Sequence, residues 1–574
     1  MDNNMMNVDE LFVETGECGK YQVLQYFLLA FPIIFSSYQT ITYIFSTGIP
    51  DYRCLVPECE NETESPKFSP PWLRSAVPME AESGSGHPAQ CMRFRPLMNC
   101  TDGGLVDRCT ADLFDHSDPI RCHQFVFREH ERTVASEFKI LCPENEWKIA
   151  LVGTTNYLGF LIGMPIAGVL SDSYGRKTIL IVSCFLQSLI GVLRSFSQDY
   201  EVYLLLQFMG AFFCGAYNAG FILALEAVGP SKRVLGNAII CCFHSLGEAN
   251  VAFTMWILKD WRWMSQVLFG PGLLSLAYYW LVPESVRWLI TKGNVEEATD
   301  VFKRMAKING RELSPEFESR VEAMSTSNQL PQPPAKEMIQ IKDIEVRNSS
   351  VGSIDNTKRR NSVRKQTSAS MKEILKSHTL MFRIFCAVFC WCIITMVFFG
   401  LALRSVTVAG NKYKNFIMTV LLGEVPGYIA TYILMDVKQV GRRPSLYLSL
   451  GLTGVTCLLF HVCRDYATLQ FLLMLIGKFS ITFAFAVIYI FTAEMFPTEL
   501  RNSLLGICSM FGHVGSMLAP QTAFLAKPLD PMYVWGTTAL IAAGLSFLFP
   551  ETINARLPDT IGEAEKLGTK SNTK

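Results

Sequence analysis

Apolar residues in this chain gather into twelve long runs, at about 21–46, 148–170, 178–195, 202–225, 235–258, 262–282, 380–403, 415–435, 445–462, 467–492, 503–526 and 530–549. Helices of that length cross the ~30 Å hydrocarbon core of a bilayer. The stretch from Tyr21 to Pro50 holds no charged residue and is too long for the apolar part of a cleavable signal. Met1 to Lys20 before it is polar and rather acidic, so the pattern predicts a first spanning helix with a cytoplasmic start. Twelve crossings bring both termini to one side. Arg176/Lys177, Lys232/Arg233, Arg287, Arg442/Arg443 and Arg501 then all fall inside, as the positive-inside rule requires.

The long polar segment at about 47–147 falls outside. It carries seven cysteines, Cys54, Cys59, Cys91, Cys100, Cys109, Cys122 and Cys142, which points to disulfides in an oxidising compartment. Seven is odd, so at least one thiol stays free or pairs elsewhere, and spacing leaves the connectivity open. Two sequons, at Asn61 and Asn99, are the expected glycosylation sites. A second polar stretch, Pro283 to Met371, divides the runs six and six. Ala298, Val301, Phe302, Met305 and Ala306 give its first part helical spacing, predicting an amphipathic helix over 294–309 at the membrane surface. Residues 311–370, rich in Ser, Asn, Gln and Lys, read as disordered, a solvated linker in which Arg359-Arg-Asn-Ser362 has the form of a basophilic kinase site.

The expected layout is an N-terminus (1–20), a first six-helix bundle (21–282) containing the outer loop 47–147, a linker (283–379), a second six-helix bundle (380–549) and a tail (550–574). Composition agrees with this all-α membrane reading: the 574 residues are 50% hydrophobic and only 18% charged. The net charge of zero gives no reason to expect a nucleic-acid partner. No nucleotide loop, metal-ligand cluster or nucleophile arrangement is present, so neither enzyme chemistry nor a cofactor is expected, and a primary pump is disfavoured.

Between the second and third runs lies Gly168-Val-Leu-Ser-Asp172-Ser-Tyr-Gly175-Arg176-Lys177, which reads as a tight glycine turn. It resembles the loop between helices 2 and 3 of major facilitator transporters, G-x-x-x-D-x-x-G-R-K/R. A second copy, Asp436 to Pro444 with Gly441-Arg442-Arg443, departs from the pattern: its acid sits five residues before the glycine and Lys438 takes the usual acid position. Pro283-Glu-Ser-Val-Arg287-Trp288-Leu289, Glu494-Met-Phe-Pro497-Thr-Glu-Leu-Arg501 and Pro550-Glu551-Thr552 with Leu557-Pro558-Asp559-Thr560 look like sugar-porter-type signatures of that superfamily. The Cys-rich first loop, Ile49-Pro50-Asp51-Tyr-Arg-Cys54, Thr133-Val134…Phe138…Cys142…Trp147 and Glu226-Ala-Val-Gly229-Pro230-Ser-Lys-Arg233 resemble one branch, the organic cation/carnitine/organic anion transporter family (solute carrier family 22). The resemblance covers nearly the whole chain outside 311–370. It implies the two-bundle major facilitator fold and alternating access. The loops would form a lock of helix ends (Gly168, Asp172, Gly175, Arg176, Lys177; Gly441, Arg442, Arg443, Glu494, Arg501), with Asp172 near a helix N-terminus and Arg176/Lys177 near carbonyl ends or lipid phosphates.

Ionisable groups inside the runs each cost roughly 2.5–3.5 kcal/mol at mid-membrane, so they need a partner or a watery cavity. Glu248, Glu424, Lys478 and His513 are the candidates. Phe485 and Tyr489 follow Lys478 by seven and eleven positions and share its helix face, a setting that suits a carboxylate-and-amine solute. Pairing of Lys478 with an internal acid, the rings only packing, suits the pattern equally. Glu424 lies in Gly423-Glu-Val-Pro-Gly427, where glycine and proline loosen a helix, and matches an E-x-P element of the family. Glu248 has His244 one turn earlier as a local partner. By the resemblance, His513 stands where the family's anion and carnitine carriers hold Arg and its cation carriers hold Asp, with Ser509 and Ser516 on the same face. Gln207 stands where the superfamily usually has Arg. Phe398, two turns after Trp391 and next to Phe399, matches an aromatic position beside the family's cavity.

The sequence therefore predicts a plasma-membrane secondary transporter of small organic cations or amine-bearing zwitterions such as carnitine, carcinine or β-alanine. Substrate binding is assigned to Glu424, Lys478, Tyr489, His513, Phe398, Phe485 and Glu248, with membrane lipid as a further partner and the coupling ion, Na+ or H+, left open. An organic anion exchanger and a transporter-like receptor without flux are the alternatives.

Overall fold

The computed structural model describes residues 8–60, 66–80, 87–97, 109–329, 374, 376–435, 441–463, 465–497, 500–525, 530–553, 558 and 561–567. Asn61, Asn99, Ser362, Lys438 and Asp559 lie outside the described residues.

The apolar runs become helices. We label them α1 (Lys20–Ser46), α2 (Glu146–Tyr174), α3 (Arg176–Arg194), α4 (Tyr200–Phe212 and Ala216–Glu226) and α5 (Arg233–Leu258). The sixth run is broken: α6 comprises Trp261–Phe269, a 3₁₀ stretch Gly270–Ala277 and Tyr278–Leu281, because Gly270-Pro271-Gly272 interrupts the regular ladder. The second set is α7 (His378–Ser405), α8 (Lys412–Thr419, a π-turn Val420–Glu424, then Val425–Leu434), α9 (Arg442–Val462), α10 (Ala467–Met495), α11 (Arg501–Leu525) and α12 (Pro531–Ser546). Among the described residues, ten of these segments are long and apolar enough to cross a membrane; the other two are α6, broken into three pieces, and α12, of 16 residues.

Two apolar cores result, one built mainly on α1–α6 and one on α7–α12. The lobes meet where α2 packs on α11 and α5 on α8. Close to the loop-bearing ends, Phe45 packs on Tyr413 and Phe416 with ring centroids 5.8 and 5.0 Å apart. Gln521 donates to the Thr154 hydroxyl at 2.8 Å across the same seam.

The long loop between α1 and α2 is a small disulfide-knit unit. Three antiparallel strand pairs, Tyr52–Cys54 with Phe125–Phe127, Met79–Glu80 with His87–Pro88 and Met92–Pro96 with Phe114–Arg121, surround a core of Val56, Leu73, Ala76, Val77 and Phe114. Six of the seven cysteines pair as Cys54–Cys122, Cys59–Cys109 and Cys91–Cys142. The seventh, Cys100, lies outside the described residues. Glu137 ties this unit to the first lobe through Arg262 (2.7 Å) and the Trp261 indole (2.8 Å), and pairs with Arg132 (2.8 Å) inside the unit. Glu131 reaches the second lobe, accepting from Lys412 (2.6 Å) and Tyr413 (2.7 Å).

Two expectations change at the opposite face. The amphipathic helix forms, as Val295–Asn309, but its apolar side does not lie on lipid. Phe302 and Met305 are covered by Leu11 and Phe12 of a helix Val8–Thr15, by Leu289 and Ile290, and by Phe317 and Val321. The last two belong to a helix, Phe317–Gln329, inside the stretch expected to be disordered; two apolar residues one turn apart were enough to dock it.

Candidate functional site

Glu248, Glu424 and Lys478 lie ten to twelve residues from the loop-side ends of α5, α8 and α10. At 1.5 Å per residue this is roughly 15–18 Å along each axis, near the middle of a ~30 Å core. Local sequence explains the approach. Pro426 has no N–H to continue the ladder, and the preceding turn relaxes into the π-turn that ends on Glu424. A Cβ on Gly423 would sit 3.1 Å from Lys478 Cβ, so the missing side chain lets α8 close on α10.

Lys478 is fully enclosed and satisfied. Its ammonium pairs with Glu424 Oε1 at 2.7 Å, donates to the Phe398 carbonyl at 3.0 Å and lies 3.4 Å from the Phe398 ring centre. Glu424 Oε2 accepts from the Ser245 hydroxyl of α5 at 3.1 Å. Of the two sequence readings of Lys478, the structure carries the internal pair. Its charge is already matched, so it is not a free anchor for a carboxylate.

Glu248 is different. It is 1% exposed, and neither carboxylate oxygen has a hydrogen-bond donor among the described residues. His244 Nδ1 is 3.4 Å away, too loosely placed to count as the hydrogen bond expected from the sequence. Glu424 and Lys478 are its charged neighbours. The cluster thus holds two buried acids against one lysine. A carboxylate withdrawn from water without partners is costly unless a proton or another cation joins it.

The remaining predicted residues are strung together by rings. Trp391 and Tyr489 are 4.4 Å apart, Tyr489 and Phe485 5.4 Å, Phe485 and Phe398 5.4 Å, and Phe398 and Phe399 5.1 Å. The series crosses the seam from Phe399 to Tyr157 (4.9 Å) and Phe160 (6.1 Å) and ends on His513, stacked on Phe160 at 6.2 Å. All seven predicted substrate residues therefore belong to one connected group. His513 packs; no hydrogen bond or ion pair holds it among the described residues. Ser509 and Ser516 spend their hydroxyls on the carbonyls of Gly506 and Gly512 and do not give it a polar wall.

Sequence reading missed a second buried polar cluster inside the first lobe. Arg194 is 1% exposed and donates to Gln207 Oε1 and, at 3.5 Å, to Gln39 Oε1. Gln39 and Gln207 in turn donate to Asn156 Oδ1 at 2.9 and 3.0 Å. The guanidinium lies 5.1 Å from the Phe269 ring centre, and no carboxylate pairs with it among the described residues. The available signal was Gln187, two turns before Arg194 on the same face of an apolar helix.

The two helix-end loops prove to be near copies. Gly175 (φ +102°) and Gly441 (φ +68°) each start a helix in a conformation that suits glycine. Glu284 accepts from the backbone N–H groups of Arg176 (3.0 Å) and Lys177 (3.2 Å); Glu551 does the same for Arg442 (2.9 Å) and Arg443 (3.1 Å). These acids occupy helix N-termini, where the dipole favours negative charge. Arg176 reaches Glu226 at 3.5 Å and Arg442 reaches Glu494 at 3.4 Å. Burial pushes the Glu284 carboxyl above its usual range, against the N–H groups and Arg176 that pull it down.

Three details correct the sequence reading. α2 continues through Gly168 to Tyr174, so the turn is Gly175 alone, and Gly168 has open space around it. Asp172 is exposed and pairs with Arg176 at 2.9 Å within the loop; the acid at the helix start is Glu284. Arg501 turns back to the Phe496 carbonyl at 3.4 Å, and Lys177 lies 4.6 Å from the Tyr279 ring centre.

Two lobes of membrane-spanning helices, matching clamps and a polar cluster at the seam define a transporter of the major facilitator type. Residues 140–520 match the Major Facilitator Superfamily, and the chain belongs to it. The fold agrees with the xylose transporter XylE from E. coli in a partially occluded inward open conformation, with a TM-score of 0.57 and 13% identity over 93% of this chain and 99% of that one. Within the superfamily the chain is a member of solute carrier family 22. It is 29% identical to solute carrier family 22 member 21 of Mus musculus (98% of this chain, 94% of the relative). It is 28% identical to organic cation/carnitine transporter 2 of Homo sapiens (97% and 94%). It is 30% identical to the organic cation transporter-like protein of Drosophila melanogaster (99% and 94%). It is a multi-pass membrane transporter and not an enzyme.

Proposed function

We propose that this chain is a plasma-membrane secondary transporter of small organic cations or amine-bearing zwitterions, such as carnitine, carcinine or β-alanine, working by alternating access. The observation that carries the reading is the unmatched Glu248 carboxylate. At the meeting of the lobes, where Lys478 and Glu424 neutralise each other, it leaves a place for one positive charge. The rings of Phe485 and Tyr489 supply faces that suit an ammonium or quaternary amine, whereas the Phe398 ring already carries the Lys478 ammonium. The relatives named as organic cation and carnitine transporters support the same substrate class. A net surplus of acid weighs against an organic anion. The two clamps would hold the starts of α3 and α9 while the lobes rock about the seam.

The test is uptake of radiolabelled tetraethylammonium, carnitine, β-alanine and a dicarboxylate by cells expressing the protein. Saturable uptake of an amine-bearing solute is expected. Glu248→Gln should cut it about tenfold or more at equal surface expression, the loss of one charge-assisted contact. Uptake of the dicarboxylate alone would overturn the assignment, and saturable binding without flux would identify a receptor.

A further inference from the structure

Arg194 closes α3, and its side chain turns inward to the amides of Gln39 and Gln207. Gln39, Gln207 and Asn156 lie seven to ten residues from the loop-bearing ends of α1, α4 and α2. At 1.5 Å per residue the group sits roughly 10–15 Å below those ends. The three amide side chains are 0% exposed and Arg194 is 1% exposed.

Chemistry fixes how these four side chains bond. A guanidinium only donates. Gln39 and Gln207 therefore turn their amide oxygens to Arg194, which leaves their NH2 groups for Asn156 Oδ1. With its oxygen used, Asn156 has only its own NH2 to offer. Every side-chain acceptor of the group is then taken, while Arg194 Nε and Nη2 and Asn156 Nδ2 find no acceptor among the described residues. Gln187, two turns earlier on α3, is also buried without partners, but it brings donor and acceptor alike and leaves the balance unchanged. The titratable group beside Arg194 is Tyr203, whose hydroxyl pairs with that of Ser46 at 2.9 Å. The group is thus short of acceptors and holds one uncompensated positive charge, since arginine stays protonated in proteins. Water can supply a missing acceptor but not a missing charge, and an enclosed ion without a counter-charge is costly.

From this accounting we propose that Arg194 and Asn156 hold a small monovalent anion, chloride, buried inside the first lobe. Arg194 Nε and Nη2 and Asn156 Nδ2 are its donors. The enclosure selects a single small ion over a phosphate or the carboxylate of a solute. All four side chains belong to one lobe, so the anion stays with that lobe through the cycle. It is a fixed component and not cargo, and the inference is independent of the solute reading above.

The experiment uses the purified full chain in detergent, with chloride as the probe and gluconate as the replacement at equal ionic strength. The melting temperature should be several degrees higher in chloride and rise to a plateau with its concentration. Radiolabelled chloride should bind at one ion per chain. Arg194→Gln should abolish both effects. Gln207→Glu guards against a variant that merely fails to fold, because it builds a carboxylate beside the guanidinium. That variant should melt in gluconate as high as the unaltered protein does in chloride, and bind no chloride. Equal melting temperatures of the unaltered protein in the two salts would overturn the site. So would a chloride effect of undiminished size in Gln207→Glu, which would place the ion elsewhere.

Discussion

Two buried charge clusters in this molecule are out of balance in opposite directions. At the seam, Glu248 and Glu424 outnumber Lys478; inside the first lobe, Arg194 faces only the amides of Gln39 and Gln207 and the ring of Phe269. Their positions differ in the same sense. The seam cluster draws residues from α5, α8 and α10, elements of both lobes, and touches the partly open His244. The Arg194 cluster takes its side chains from α1, α2, α3, α4 and α6, all of the first lobe. A charge left unmatched between two bodies that must separate is available to a mobile partner. One sealed within a single body acts as a rivet, since its surroundings do not rearrange.

The strongest way to break this contrast is Lys478→Ala. It leaves Glu424 enclosed without its counter-charge, a penalty of about 3–5 kcal/mol, and uptake should fall about a hundredfold or more. Lys478→Met with Glu424→Gln should restore the folded population seen by size-exclusion chromatography without restoring uptake. Recovery of transport in that pair would mean that the seam charges only stabilise.

Arg194→Ala should act the other way. Orphaned amides and the space left behind should lower stability by about 2–5 kcal/mol, read as a lower melting temperature in detergent. Transport per folded molecule should stay within about twofold. A selective loss of transport at unchanged stability would place Arg194 in the transport machinery and erase the distinction.

The smallest effect belongs to a site where charge is balanced. Burial raises the Glu137 carboxyl, but hydrogen bonds from Arg262, Trp261 and Arg132 outweigh it and hold it below the usual carboxylate range. A depressed folded-state value means that the stabilisation is complete above the ordinary carboxylate pKa and is lost as pH falls through the lowered one. Hydrogen exchange in the disulfide-knit unit, taken relative to the intrinsic rate at each pH, should therefore be flat near neutrality and rise only in acid. Glu137→Gln should raise it modestly at neutral pH and flatten the acid response; an unchanged acid response would assign it to other groups.

Much of this was legible in the chain because membrane helices announce themselves by length and lack of charge, and because contacts a turn apart follow from spacing. Six of the seven candidate residues were found that way, as intramembrane charges or as rings in register with Lys478; Phe398 came from the family resemblance. Contacts between distant segments were not. Glu284 lies 108 residues from Arg176, and nothing local marks it as the acid that holds the start of α3. Asp172 was the nearer choice and the wrong one. The break in α6 was hidden because Gly270-Pro271-Gly272 sits in an otherwise apolar run. Arg194 was passed over because a base at the end of a run usually flanks the membrane, and only the fold turns it inward.

The knitted unit between α1 and α2 is fastened to one lobe by Glu137 and rests on the other through Glu131. It therefore bridges the two lobes, and in the alternating access proposed above it would be a handle on both. An antibody gripping both the unit and the α7–α8 connection would stall the carrier from outside the bilayer, without competing for the solute.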